Sequence, residues 1–373
     1  MKRNISSLLI VALLLAITLI QSSCSDKSHY AFPIKEIDFV NKTSGVLEGK
    51  PLNLDILGPR EILICDTLLL VTTENPAGQL KVYSLNSFEE LANLCTKGRA
   101  QNEFIEPYLI SRNYGLKDGH ITLWLTDNIT TMKKVDITES IKKRSTVILQ
   151  KDICMSGSKG NFVLIDNDVK KRFVYNKSKE DKVKNGIFNA PTFSIEIDGE
   201  PSRELIVYPK AMDTEISGFH FYNYNGKMYK HPDKNLVFQG LQSMDYILFF
   251  DLDNNKNWAI HQKGSLSFDD VILEDNKDID YYHFSHLDFN SDYIMFLYVA
   301  GDYSKNVENY GVDSKPELLI FDWEGNYLGG AKLSLPVARI AYDERRQLLI
   351  GLDCNDDKFY SFDLSELMSS IEK

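Results

Sequence analysis

Glu317-Leu-Leu-Ile-Phe-Asp322, Trp323-Glu-Gly-Asn326, Tyr327-Leu-Gly-Gly-Ala-Lys-Leu333: an apolar run, a short turn and a return run decide how this chain folds. Gly325 and Asn326 accept the positive φ that a tight turn needs. The same grammar continues through Ala338-Arg-Ile-Ala-Tyr342, the turn Asp343-Glu-Arg-Arg346, and Gln347-Leu-Leu-Ile-Gly-Leu352. A further turn, Asp353 to Asp357, leads into Lys358-Phe-Tyr-Ser-Phe-Asp363. Strand, tight turn, strand, repeated, is a meander.

Outward from this segment the pattern recurs. Runs at Ile62 to Val71, Gln79 to Ser84, Ile121 to Leu125, Asn161 to Ile165, Arg172 to Tyr175 and Glu204 to Tyr208 read as strands. So do Phe219 to Tyr224, Tyr246 to Phe250, Asn257 to His261 and Tyr293 to Val299, with Asn225-Gly226 as a hairpin turn. Helical periodicity is nearly absent. The 19 Tyr and 20 Phe suit pleated, half-buried surfaces. Meanders repeating every 40 to 50 residues or so are the signature of propeller blades, and about 340 residues hold six or seven of them. The fold class read here is all-β, a β-propeller with a four-stranded antiparallel meander in each blade. The alternation in Ile34-Lys-Glu-Ile-Asp-Phe39 nominates it as the ring-closing strand, beside the blade made by residues 338 to 364.

The first residues read differently. Lys2 and Arg3 precede an apolar run from Leu8 to Ile20, then Gln21-Ser22-Ser23-Cys24. The run is shorter than the roughly 20 residues that span a bilayer, and a charged start before small residues marks an export signal. The segment resembles a bacterial lipoprotein signal, with Cys24 as the lipidated first residue of the mature chain; Gln21 stands where leucine is usual. Residues 1–23 are then the signal, 24–33 a lipidated tether, 34–368 the propeller and 369–373 a tail. The implied address is the outer membrane. Asp26 beside Ser25 resembles the acidic signals that route such lipoproteins to the cell surface, and Lys27 interrupts it, so both faces of that membrane stay open.

The 373 residues carry 42 Lys and Arg against 53 Asp and Glu, a net charge of −11. An acidic chain repels phosphate backbones and bare anionic lipid, so nucleic acid is excluded as a partner. The membrane is reached through the lipid, and an envelope protein or a glycan is the partner class left open. Cys65, Cys95, Cys154 and Cys354 are widely spaced without a Cys-x-x-Cys, which suggests neither zinc nor redox chemistry; export leaves room for one disulfide.

Thr96-Lys-Gly-Arg-Ala-Gln-Asn-Glu-Phe104 is the most specific motif. It resembles the Gly-Arg-Gly-Pro-Asn-Glu-Phe signature of the TolB-like six-bladed propellers of Bacteroides-type lipoproteins. Gly98, Arg99, Asn102, Glu103 and Phe104 match; Ala100 and Gln101 depart. Leu318 to Leu328 and Phe359 to Leu364 resemble that family's late-blade turn and terminal strand. The resemblance implies six blades from about Ile34 to Met368, and little chemistry.

Candidate site residues follow from the same segment. Arg99 and Glu103 are expected to pair on the loop between the first two blades, with Asn102 bonded to backbone. The loop is read either as a locked connector or as placing Arg99 at the axial channel to meet an anion. His283 and His286 stand three apart in a strand, which puts them on opposite faces and argues against a metal. Asp251, Asp253 and Asn255, and Asp353, Asn355 and Asp357, have calcium-loop spacing but lack the glycine and glutamate that follow; they read as hairpin turns. No cofactor and no catalytic residue is assigned. Trp124, Trp258 and Trp323 are read as packing between blades or as a sugar-stacking surface. The function read here is a non-catalytic scaffold binding a protein or glycan. The alternative is a glycan-acting hydrolase or lyase at the central channel, and convergence of carboxylates and histidine there is what separates the two.

Overall fold

A computed structural model describes residues 33–128, 131–153, 162–166, 168–175, 193–205, 226–241, 244–265, 281–302 and 316–372. Three short strands lead the described residues: β1 (Ile34–Ile37), β2 (Val46–Leu47) and β3 (Gly49–Leu52). Blade 1 follows as β4 (Pro59–Cys65), β5 (Leu68–Thr73), β6 (Leu80–Ser84) and β7 (Glu90–Leu94). Blade 2 is β8 (Pro107–Lys117), β9 (His120–Asp127), β10 (Thr131–Asp136) and β11 (Ile148–Ile153), with helix α1 (Ile137–Lys143) before its last strand. Blade 3 is β12 (Phe162–Ile165), β13 (Asp168–Tyr175), β14 (Phe193–Ile197) and β15 (Glu200–Leu205). Blade 4 is β16 (Met228–Lys230), β17 (Leu236–Gly240), β18 (Tyr246–Asp251) and β19 (Lys256–Gln262). Blade 5 is β20 (Tyr281–Phe289), β21 (Ile294–Asp302), β22 (Glu317–Phe321) and β23 (Tyr327–Leu333). Blade 6 takes β24 (Arg339–Asp343), β25 (Leu348–Asp353) and β26 (Lys358–Asp363) from the end of the chain and β3 from its beginning. Helix α2 (Ser365–Ile371) ends the described chain. The molecule is a six-bladed β-propeller.

The first strand of each blade lies toward the axis. These strands touch around the ring: β20 against β24, β24 against β4, β4 against β8, β12 against β16. The apolar core is divided among the seams between blades. Phe173, Phe193, Tyr246 and Phe250 fill the seam of blades 3 and 4, and Phe238, Phe249, Phe284, Phe296 and Phe321 that of blades 4 and 5. Leu70, Val82, Leu123 and Leu125 join blades 1 and 2, and Ile64, Leu69, Ile350 and Phe359 join blades 6 and 1. A middle strand therefore faces two seams and is buried on both sides, as β5 is along its whole length. Each buried Leu or Phe contributes roughly 1.5–3 kcal/mol, so a blade alone is unstable and the closed ring is not.

Closure differs from the expectation. Ile34 to Phe39 does not join the blade of residues 338–364. β1 pairs in parallel with β19 on the outer edge of blade 4, and β2 in parallel with β23 on that of blade 5. β3 closes the ring by antiparallel pairing with β26. The reason lies in the side chains. Ile34 and Ile37 pack on the seams flanking blade 4, and Phe39, fully buried, enters the seam of blades 4 and 5 beside Phe284, Tyr298 and Phe321. Gly49-Lys-Pro-Leu52 has no alternation, yet a Cβ at Gly49 would stand 2.5 Å from Leu335 and 2.8 Å from Phe362, so a glycine permits the close approach. Pro51 is tolerated because the strand is an edge.

Ile62 to Val71 is two strands, not one: Asp66, at φ 53°, turns the chain between β4 and β5. α2 runs through the expected tail boundary, and Leu367 and Ile371 pack on the seam of blades 5 and 6. Residues 206–208, the run at 219–224, Asn225, Cys24 and Cys154 lie outside the described residues. Cys95 and Cys354 are free thiols, and Cys65 is buried. No helix among the described residues is long and apolar enough to cross a membrane.

Candidate functional site

Glu61 stands where β4 begins its inner run. The register shifts between Pro59 and Glu61, a bulge that leaves Arg60 without a partner residue on β5. The bulge sends the two side chains apart. Arg60 bonds Glu74 at 2.8 Å and Glu106 at 2.6 Å on an exposed rim, where Tyr108 also hydrogen-bonds Glu106. Glu61 turns to the axis. There its Oε1 accepts from Lys227 Nζ at 3.0 Å and faces Arg339 Nε at 3.4 Å. Its Oε2 lies 3.3 Å from His286 Nε2.

Four blades meet at this carboxylate. Lys227 immediately precedes β16 of blade 4, His286 is on β20 of blade 5, Arg339 opens β24 of blade 6, and Glu61 belongs to blade 1. The backbone N–H of Ile340 donates to His286 Nδ1 at 3.2 Å, which leaves Nε2 to carry the ring proton and donate to Glu61. Two residues on, Asp288 accepts the Tyr342 N–H at 2.6 Å. Side chains of β20 thus bind the backbone of β24 and staple blade 5 to blade 6. Burial would raise the Glu61 carboxyl, but Lys227, Arg339 and the His286 hydrogen bond hold it well below its usual range. Burial, against the pull of Glu61, lowers His286 to about 4. Cys354 feels the fields of Arg339 and Glu61, and burial pushes its thiol up to about 11, so it is protonated at neutral pH.

The 98–104 segment is a second constellation, on the connection from β7 to β8. Its backbone closes on itself, Gly98 N–H to Phe104 carbonyl at 2.9 Å and Phe104 N–H to Thr96 carbonyl at 3.0 Å. Glu103 accepts from the Ala100 N–H at 2.8 Å, and among the described residues no ion pair joins it to Arg99. Arg99 and Asn102 are exposed. A Cβ at Gly98 would meet the Glu103 carboxylate at 1.8 Å. The charges that lock this loop are Lys133 and Asp127, both buried, 2.7 Å apart. Lys133 also bonds the Glu103 carbonyl and lies 4.3 Å over the Phe104 ring; Asp127 accepts from Ile105 and Glu106 N–H at 2.7 and 3.1 Å.

The remaining expectations fall on structure. Asp251 accepts from the Asp253 and Asn254 backbones, and Asp353 from that of Asn355, as hairpin turns do. Asp357 accepts from the Gly58 N–H. Among the described residues no three His, Cys, Asp or Glu side chains group as a metal site would. Trp124 and Trp323 are buried, and Trp258 stacks on Phe249 at 5.1 Å. Sequence reading missed the axial residues. A signal exists in hindsight: Glu61-Ile, Lys227-Met and Arg339-Ile each put one charge at the threshold of an apolar inner strand.

No family profile matches the sequence, and no curated protein resembles it. Among solved structures, a member of the DUF4221 family from Bacteroides vulgatus is similar at 10% identity and a TM-score of 0.52, over 88% of this chain and 98% of that one. A Bacteroides fragilis protein carrying the description of an exported protein matches at 9% identity and a TM-score of 0.46, over 88% and 98%. The Swd1 β-propeller domain from Myceliophteria thermophila matches at 12% identity and 0.43, over 84% and 99%. At these identities the first likeness establishes the fold alone: the chain shares its propeller with a Bacteroides protein.

Proposed function

We propose that this protein is a non-catalytic binding scaffold of the cell envelope, a TolB-like propeller held on the outer membrane by lipid on Cys24. The observation that carries the scaffold reading is the state of the axial pair. Both imidazole nitrogens of His286 are engaged, one by Ile340 and one by Glu61, and the Glu61 carboxylate is committed to Lys227 and Arg339. A general base needs a free lone pair within reach of substrate, and a general acid needs a carboxyl with a raised pKa. Neither group offers that. The anchor reading is supported by Lys2-Arg3, the apolar run and Ser22-Ser23-Cys24. Each buried CH₂ of an acyl chain adds about 0.8 kcal/mol, so several chains on one residue hold a domain firmly. The partner is an envelope protein or a glycan, met by the loops of the disc.

A glycan-acting hydrolase or lyase remains the second reading, favoured by one observation: a carboxylate and an imidazole do converge on the axis. A panel of envelope and dietary glycans tests both. The scaffold reading expects binding or silence without turnover. Turnover abolished by Glu61→Gln overturns it. For the anchor, Cys24→Ser is expected to move the protein from the membrane to the soluble fraction; a variant as membrane-bound as the parent contradicts the lipid.

A further inference from the structure

We propose that Lys227, His286 and Arg339 form a seat for a carboxylate, which Glu61 fills from within the chain and which a small carboxylate ligand takes in Glu61's place. This rests on the binding-scaffold reading and names the class of its ligand. The three donors come from blades 4, 5 and 6, and the acceptor from blade 1, so the seat exists independently of the strand that occupies it. An ammonium at 3.0 Å, a guanidinium nitrogen at 3.4 Å and an imidazole N–H at 3.3 Å surround one carboxylate. Ile340 fixes His286 as a donor on the seat side, so the three present donors only. A donor-only seat with two cations favours an anion over an amide of the same size, whose N–H groups would face donors, and repels cations.

The seat is reachable. The side chains of Lys227, Arg339 and Glu61 keep 48%, 22% and 21% of their exposure, while His286 forms the closed back wall at 6%. Glu61 leaves the seat only by exchanging these partners for water, and a ligand carboxylate restores them. It follows the bulge, where the register of β4 and β5 shifts, and its N–H donates to the Thr72 hydroxyl at 3.1 Å. Rotation of the side chain leaves the backbone ladder in place.

The test titrates acetate, and acetamide as its neutral isostere, into the purified full-length protein, with binding read by ligand-detected NMR. Acetate is expected to bind and acetamide not. Glu61→Ala, which vacates the seat, is expected to bind acetate about tenfold or more tighter, and Lys227→Gln, which removes one charge-assisted hydrogen bond, about tenfold weaker. If Glu61→Ala does not fold, the wild-type protein and Lys227→Gln decide: acetate binding untouched by the loss of Lys227 overturns the seat. Equal response to acetate and acetamide overturns it too, as does absence of acetate binding in both the wild type and Glu61→Ala. D-glucuronate and N-acetylglycine then separate a sugar acid from a peptide C-terminus, and tighter binding of either upholds the seat. Failure to bind any carboxylate leaves the scaffold reading standing, since only turnover overturns that.

Discussion

Asp127 holds two other segments with its two oxygens: Lys133 on one, the consecutive backbone N–H groups of Ile105 and Glu106 on the other. Removing it leaves the Lys133 ammonium buried without its counter-charge. Asp127→Ala is expected to cost about 3–5 kcal/mol, as breaking buried pairs does. Arg99→Ala, at an exposed position, is expected to stay within about 0.5 kcal/mol. Urea unfolding measures both, and the reverse order contradicts the assignment of the lock to blade 2. His286 carries a pH signature. Its pKa of about 4 in the folded ring lies below its ordinary 6.5, so the unfolded chain takes up the proton first. Its contribution is complete above pH 6.5 and is lost as the pH falls from 6.5 toward 4, in total about 3 kcal/mol. Unfolding free energies across that window are expected to decline, and His286→Gln to flatten the decline; an unchanged slope in the variant contradicts it. At this scale the sequence was legible only where residues are neighbours. Gly98, Glu103 and Phe104 could be read as one connector. Nothing local marks Lys133, and no spacing joins 61, 227, 286 and 339.

Strands with turns between them were the readable elements. The meanders at 317–333 and 338–363 stand where the pattern put them, because apolar runs bounded by Asp, Asn and Gly have no other way to bury themselves. Two elements were misread for physical reasons. A strand buried on both faces has no alternation, so only Asp66-Thr67 marked the turn between the two apolar runs of Ile62 to Val71. An edge strand with little to bury shows none either, so Gly49–Leu52 was passed over for the more regular Ile34 to Phe39. The leading segment is a strap along the outer edges of blades 4, 5 and 6, pinned by Phe39, whose N–H is accepted by Gln262 at 2.9 Å. Phe39→Ala is expected to cost about 3–5 kcal/mol, as for a fully buried ring, and to lower the thermal midpoint accordingly. A loss below about 1 kcal/mol, the scale of ordinary substitutions, would show the strap to be an ornament.

For the molecule as a whole, the strap places the start of the ring at its rim. The Pro33 carbonyl accepts the Ala259 N–H at 3.0 Å on the outer strand of blade 4, away from the axis. Pro33, the first described residue, therefore lies at the edge of the disc and not at the axial seat. Everything assigned to the axis depends on a ring closed by β3, since Glu61 meets Arg339 only if blade 1 lies against blade 6. Peptide-resolved hydrogen exchange on the intact protein tests that closure most directly. Residues 49–52 and 358–363 are expected to be protected together and to exchange only on global unfolding. Free-peptide exchange at 49–52, with residues 34–37 protected in step with 358–363 instead, would contradict it.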